Sequence, residues 1–430
     1  MACLNVTAWR NVLCPLVATA ITFLLQVPSL KAGEASPSQS AAATVKAGPL
    51  QFEERLLADN YTYAYGLAVA DLDGDGHLDL TSSDAESNSN VYLFRGDGKG
   101  KFAFSFIQKY AKEPDQPIRL ERHAIGDMNL DKLPDVVIVD NMKNDIRWFQ
   151  NPGPDAVDKP WKLHRITAAN AIPGSYDVAL FDFDADGDLD VASSCYYGSR
   201  FDLFENVGAP GKATGFKRHE IDTEIGDTRT IAAGDFNNDG KPDLLGSARA
   251  GNVVRWYENP TQTASQTWKK TTIDAETLAP MHGHPIDFDQ DGDLDVIMTF
   301  GHAAPVGANS HQVAWYENVG RPGKGTEWKK HIVTKEFPNG IEVVAGDLDG
   351  DKDLDLVATS WSGYGQIAWF ENTGDPKSGW NMHPIKQRWS NSITVILNDF
   401  DRDGRLDIVA CAERGANEVR FWRNLGPIKK

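Results

Sequence analysis

The sequence predicts an all-β protein, a seven-bladed β-propeller of four-stranded blades in which an N-terminal strand joins the last blade and closes the ring. Three observations predict it. A nine-residue acidic pattern recurs seven times, successive copies start 56, 55, 53, 52, 60 and 52 residues apart, and each is followed by a short apolar run such as LDVASS or LDLVATS. Repeats of this length filling most of a chain mark a ring or solenoid whose units bury their apolar faces only against one another.

The pattern carries chemistry of its own. In DFDADGDLD, residues 182–190, oxygen-bearing side chains at positions 1, 3, 5 and 9 suit one hard divalent cation, and glycine at position 6 permits the turn that brings them together. The seven ligand sets are Asp71, Asp73, Asp75 and Asp79; Asp127, Asn129, Asp131 and Asp135; Asp182, Asp184, Asp186 and Asp190; Asp235, Asn237, Asp239 and Asp243; Asp287, Asp289, Asp291 and Asp295; Asp347, Asp349, Asp351 and Asp355; and Asp399, Asp401, Asp403 and Asp407. An EF-hand needs a bidentate Glu at position 12. Position 12 is instead Ser82, Ile138, Ser193, Gly246, Met298, Ala358 and Ala410. The loop therefore reads as a hairpin connection clamped by calcium, up to seven ions in all, and the apolar run after it as a buried strand.

Each repeat reads as four strands. In the third, residues 175–181 lead into the ion loop, 189–194 leave it, 201–205 form the third strand and 215–221 the fourth. Third strands share a signature, RWFQN at 147, RWYEN at 255, AWYEN at 314 and AWFEN at 368. Their Trp residues are expected between blades and their Asn segments in turns. Fourth strands repeat as WKLHRI at 161, FKRHEI at 216, WKKHIV at 328 and WNMHPI at 380. The seventh unit lacks one, whereas LQFEERLL at 50–57 has the same layout before the first unit. Pairing the two closes the ring and removes exposed edges.

Residues 1–32 read as a signal peptide, with an apolar run from Val12 to Leu25 that is short for a membrane span. Residues 33–48 read as a flexible linker of small residues, and 49–430 as the propeller. This predicts a protein that is secreted, periplasmic or at the cell surface, with no membrane span in the mature chain. Cys195 and Cys411 occupy equivalent places in distant blades, so no disulfide is expected between them. The net charge of −18 is largely local, because 26 of the 28 ligand positions are carboxylates and seven divalent ions would leave about −4. No nucleic acid partner is expected.

The sevenfold loops between short strands resemble FG-GAP or VCBS-type repeats, the blades of integrin α-subunit heads and of many secreted bacterial proteins. The resemblance covers about residues 49–430 and implies a calcium-binding seven-bladed propeller. It departs from the pattern at Lys132 and Lys352, which replace the turn glycine, and at Asn129 and Asn237, which replace a carboxylate. The fold serves adhesion, scaffolding and catalysis alike.

A ligand is expected on the face away from the ion loops, where the loops between strands 2 and 3 bring Tyr196, Tyr197, Trp361 and Tyr364. A protein or carbohydrate partner suits such a surface. The first strands line the channel. Five residues before each ion loop stand Gly66, Arg122, Asp177, Thr230, His282, Glu342 and Thr394, and three before it mostly small residues, except His284 in the fifth blade. Regular alternation puts both sets on one strand face. His282 and His284, with Glu342 from the next blade, are then candidates for zinc or another transition metal. The leading expectation is a binding or interaction module. The alternative is a carbohydrate-active lyase or dehydratase using Arg122, Asp177, Arg229, His282, His284 and Glu342 at the channel mouth.

Overall fold

The computed structural model describes residues 42–428 except 60, 86–89, 110–118, 209–210, 261–266, 306 and 321. These belong to one compact unit, 37–430. The expected signal peptide lies outside them.

Seven antiparallel sheets form the ring, each built outward from a first strand. The first strands are Ala64–Ala70, Leu120–Gly126, Ser175–Phe181, Thr228–Gly234, Pro280–Ile286, Gly340–Gly346 and Ser392–Asn398, and each touches the next, the seventh touching the first. The second strands begin at the ninth-position Asp and are buried along their whole length, from Asp79–Asp84 to Asp407–Ala412. A strand covered on both faces by neighbouring blades has no polar side, which is why these runs carry no alternation.

The core lies between blades. Ile297 and Trp315 of blade five pack with Leu356, Ala358 and Phe370 of blade six, and Trp369 of blade six packs with Trp422 of blade seven. The expected role of the third-strand Trp residues holds. Their Asn residues do more than turn the chain. Asn318 Nδ2 donates to the Phe236 carbonyl of the preceding blade's ion loop at 2.9 Å, and its backbone N–H donates to Asp295 at 2.8 Å. Asn151, Asn259 and Asn424 repeat both contacts. Each is a buried clamp joining two ion loops, where a turn was expected.

Leu50–Ala58 pairs with Glu418–Pro427, closing blade seven as expected. Of the linker expected at 33–48, residues 33–41 lie outside the described residues, and the described part carries a strand. Ala43–Ala47 is a strand that pairs with Leu50–Ala58 across a Gly48-Pro49 turn, so blade seven has five strands. Its small residues resemble linker composition, but the closing strand otherwise leaves an unpaired edge, and Gly48 supplies the left-handed φ of 58° that a tight hairpin uses. Cys195 and Cys411 are free and buried. Among the described residues no helix is long and apolar enough to cross a membrane.

Candidate functional site

Two sets of residues have chemistry to offer, at opposite ends of the first strands. At one end are the ion loops. In all seven, the first carboxylate accepts the backbone N–H of position 6 at 2.7 to 3.1 Å, which fixes the turn. The ninth carboxylate also braces the scaffold: Asp190 accepts the N–H groups of Phe183 and Asn206, both at 2.7 Å, and its six equivalents do the same. Position 6 takes a left-handed φ throughout, including 70° at Lys132 and 80° at Lys352.

Five loops gather three carboxylates whose oxygens lie within 4.8 Å of one another. They are the first, third, fifth, sixth and seventh. The second and fourth, with Asn129 and Asn237, form no such three-carboxylate group among the described residues. Burial and the adjoining carboxylates hold Asp184, Asp289 and Asp349 above the usual carboxylate range. An all-oxygen, mutually repelling donor set fits a hard cation.

At the other end, every first strand carries a bulge. Between the seventh residue before the ion loop and the fourth or fifth, the strand advances by one residue more than its partner, as at Leu120/His123 and Ser175/Asp177. A bulge breaks the inward-outward alternation and re-aims side chains. Here it turns the sixth residue before the loop toward the channel mouth. Tyr65, Glu121, Tyr176 and Arg229 from blades one to four, and Met281, Ile341 and Ile393 from blades five to seven, line a cavity of about 350 Å³. Tyr63 and Arg119 join them from the ends of blades one and two, and Tyr196, Tyr197, His302, Trp361, Glu413 and Arg414 come from the loops between strands 2 and 3.

Three guanidinium groups lean on this aromatic wall. Arg229 lies 4.8 Å from the Tyr176 ring and 5.0 Å from that of Tyr196, and Arg119 and Arg414 lie over Tyr63 at 5.6 and 4.6 Å. Arg229 also pairs with Asp227 at 2.7 Å, and Asp227 is shared with Arg249. Two buried carboxyls face the guanidiniums. Burial, with Glu413 nearby, pushes Glu121 up to about 8, and burial pushes Glu413 up to about 7. Burial, reinforced by Arg229 and Arg249, lowers His302 to about 4, so it is neutral at pH 7.

The residues expected at the channel mouth divide. Only Arg229 lines the cavity. Arg122 and Glu342 form a buried two-point ion pair at 3.1 and 2.8 Å, which joins blade two to blade six. His284 reaches Glu342 at 3.3 Å. His282 spends both ring nitrogens, on Thr230 Oγ1 at 3.2 Å and on the Tyr176 hydroxyl at 3.1 Å, and stands 3.8 Å from Asp177. Burial and Arg122 hold His282 well below its ordinary value. The expected metal trio of His282, His284 and Glu342 is thus tied into a hydrogen-bonded network behind Tyr176, and it is not among the three-ligand groups found in the described residues. Of the four loop aromatics, Tyr196, Tyr197 and Trp361 reach the cavity, while the exposed Tyr364 lies on a separate hollow with Gln387 and Arg388.

Regular alternation missed Tyr65, Glu121 and Tyr176. A signal was present: the sixth position is polar or aromatic in four consecutive blades and aliphatic or Met in the other three. Glu413 and Arg414 carried none beyond their place in a loop.

Seven sheets around a channel, clamped by acidic hairpin loops, define a repeat propeller of the ion-loop class. The model of the FG-GAP-like repeat matches residues 127–193, 182–246, 235–298, 301–358 and 347–410, so the chain belongs to that family. No curated protein matches. Among solved structures, a catalytically inactive virginiamycin B lyase from Staphylococcus aureus, with quinupristin, is similar over 86% of this chain and 98% of its own at 14% identity and a TM-score of 0.55. BBS1N in complex with ARL6DN is similar over 89% and 97% at 14% identity and a TM-score of 0.48. Identities this low speak to the fold alone.

Proposed function

We propose that this protein is an exported, calcium-stabilised propeller that acts as a binding module, taking a protein segment or a glycan at the channel mouth opposite the ion loops. One observation carries the reading: all seven blades contribute, through their first strands and the loops between strands 2 and 3, to a single cavity walled by aromatic side chains. The family supports calcium in the loops, through the side-chain oxygens at positions 1, 3, 5 and 9. A lyase or dehydratase is the second reading, favoured by Glu121 and Glu413, two cavity carboxyls poised near neutral pH as acid–base groups are. A glycan array and a peptide array, followed by product analysis of every hit, separate the two. Retention of intact ligand supports the module. Cleaved or unsaturated product supports the enzyme. Binding that survives Trp361→Ala together with Tyr197→Ala places the ligand elsewhere and overturns the site.

A further inference from the structure

The cavity has unmet hydrogen-bonding demands of both kinds. Glu121 Oε2 and Glu413 Oε2 are buried with no donor, and Arg229 Nε and His302 Nδ1 are buried with no partner. Glu121 and Glu413 are each 3% exposed. A buried polar group left unpaired costs about 1–3 kcal/mol, so a ligand that satisfies several at once gains from each.

Which chemistry supplies both donors and acceptors in one small space? Sulfate offers acceptors alone, and phosphate adds one or two P–OH donors but has no face to stack on the aromatic wall. An ammonium ligand meets the carboxyls but faces Arg119, Arg229 and Arg414. A ring bearing several hydroxyls donates and accepts from the same atoms, and its faces stack on Tyr and Trp. Charge decides the rest. Three guanidiniums line the cavity, and among them Arg229 keeps a buried Nε without a partner while its Asp227 is shared with Arg249. A carboxylate on the ring gives these donors a two-point partner. The volume, about 350 Å³, sits at the small end of ligand pockets, roughly 300–1,000 Å³.

We propose that the cavity binds an acidic sugar, a pyranose carrying a carboxylate, with the carboxylate on the arginines and the hydroxyls on Glu121, Glu413 and His302. This rests on the binding-site reading above and narrows its ligand to one chemical class.

The test is calorimetric titration of the full propeller, in calcium, with galacturonate, glucuronate and mannuronate oligosaccharides and with their carboxyl-reduced counterparts. At least one acid is expected to bind ten times or more tighter than its reduced form, and more weakly as salt rises. Arg229→Gln should erase that preference. Arg414→Gln, at an exposed position, should reduce it without touching the fold, which guards against an unfolded Arg229 variant. Equal binding of acid and reduced forms overturns the acidic-sugar inference and leaves a glycan module standing. No binding of any saccharide, with a peptide captured instead, overturns the inference and the glycan half of the functional reading together.

Discussion

Lys132 and Lys352 hold a left-handed backbone where the other five ion loops use glycine. That conformation costs a residue with a Cβ about 1–2 kcal/mol, while glycine loses more chain entropy on folding, about 0.4–1 kcal/mol. Lys132→Gly and Lys352→Gly should therefore each stabilise the protein by about 0.5–1 kcal/mol in denaturant titrations. The reverse change, Gly187→Lys, should cost a similar amount. Loss of stability in either Lys→Gly variant refutes the strain argument. At this scale the ligand positions were legible, because oxygen spacing and a turn residue are local properties. The double use of the ninth Asp was not. Its partners include Asn206, 16 residues from Asp190, and Asn318, 23 residues from Asp295, and only the closed blade brings them near.

The first strands show what an element can hide. Their bulge moves the cavity-facing position from five residues before the loop to six, exchanging Thr230 for Arg229 and Asp177 for Tyr176. Periodicity assumes a regular pleat, and one inserted residue reverses it. The closing strand, by contrast, was legible because residues 50–57 share the fourth-strand layout that the seventh unit lacks, and its burial follows that layout, with Leu50 and Phe52 inward and Gln51 and Glu53 partly exposed. Deleting residues 1–58 removes the partner of Glu418–Pro427 and bares a long edge. The product should aggregate or melt far lower than the chain beginning at 42. A chain beginning at 49 loses only the outer Ala43–Ala47 strand and should fall between them in light scattering and melting temperature. Equal behaviour of all three removes the strand-closure account of stability.

Across the whole molecule, the Asn clamps tie neighbouring ion loops into groups: loops one and two, three to five, and six and seven. Asn151, Asn259, Asn318 and Asn424 each reach the preceding blade's loop, so an ion bound in one of these loops would bear on the packing of two blades. Chelation leaves clustered carboxylates to repel one another. An ion held at one hundred times its Kd contributes about 2.7 kcal/mol per site, so several sites together should lower the melting temperature markedly in EDTA, with recovery on adding Ca²⁺. An ion-free protein, verified by metal analysis, that melts unchanged refutes structural calcium.

Seven copies of one acidic loop determined the blade count by themselves, and the third- and fourth-strand signatures repeated between them determined the four-strand repeat, the interblade Trp packing and the closing strand. Those properties depend on short-range pattern repeated along the chain. The site depended on tertiary structure. Glu121 meets Arg229 and Glu413 only because three blades far apart in sequence converge on one channel mouth, and His282 and Glu342, side by side by alternation, are instead absorbed by Tyr176 and Arg122 from blades three and two. A ring places each blade against its neighbours and all seven against the axis, and no local window of sequence contains that geometry.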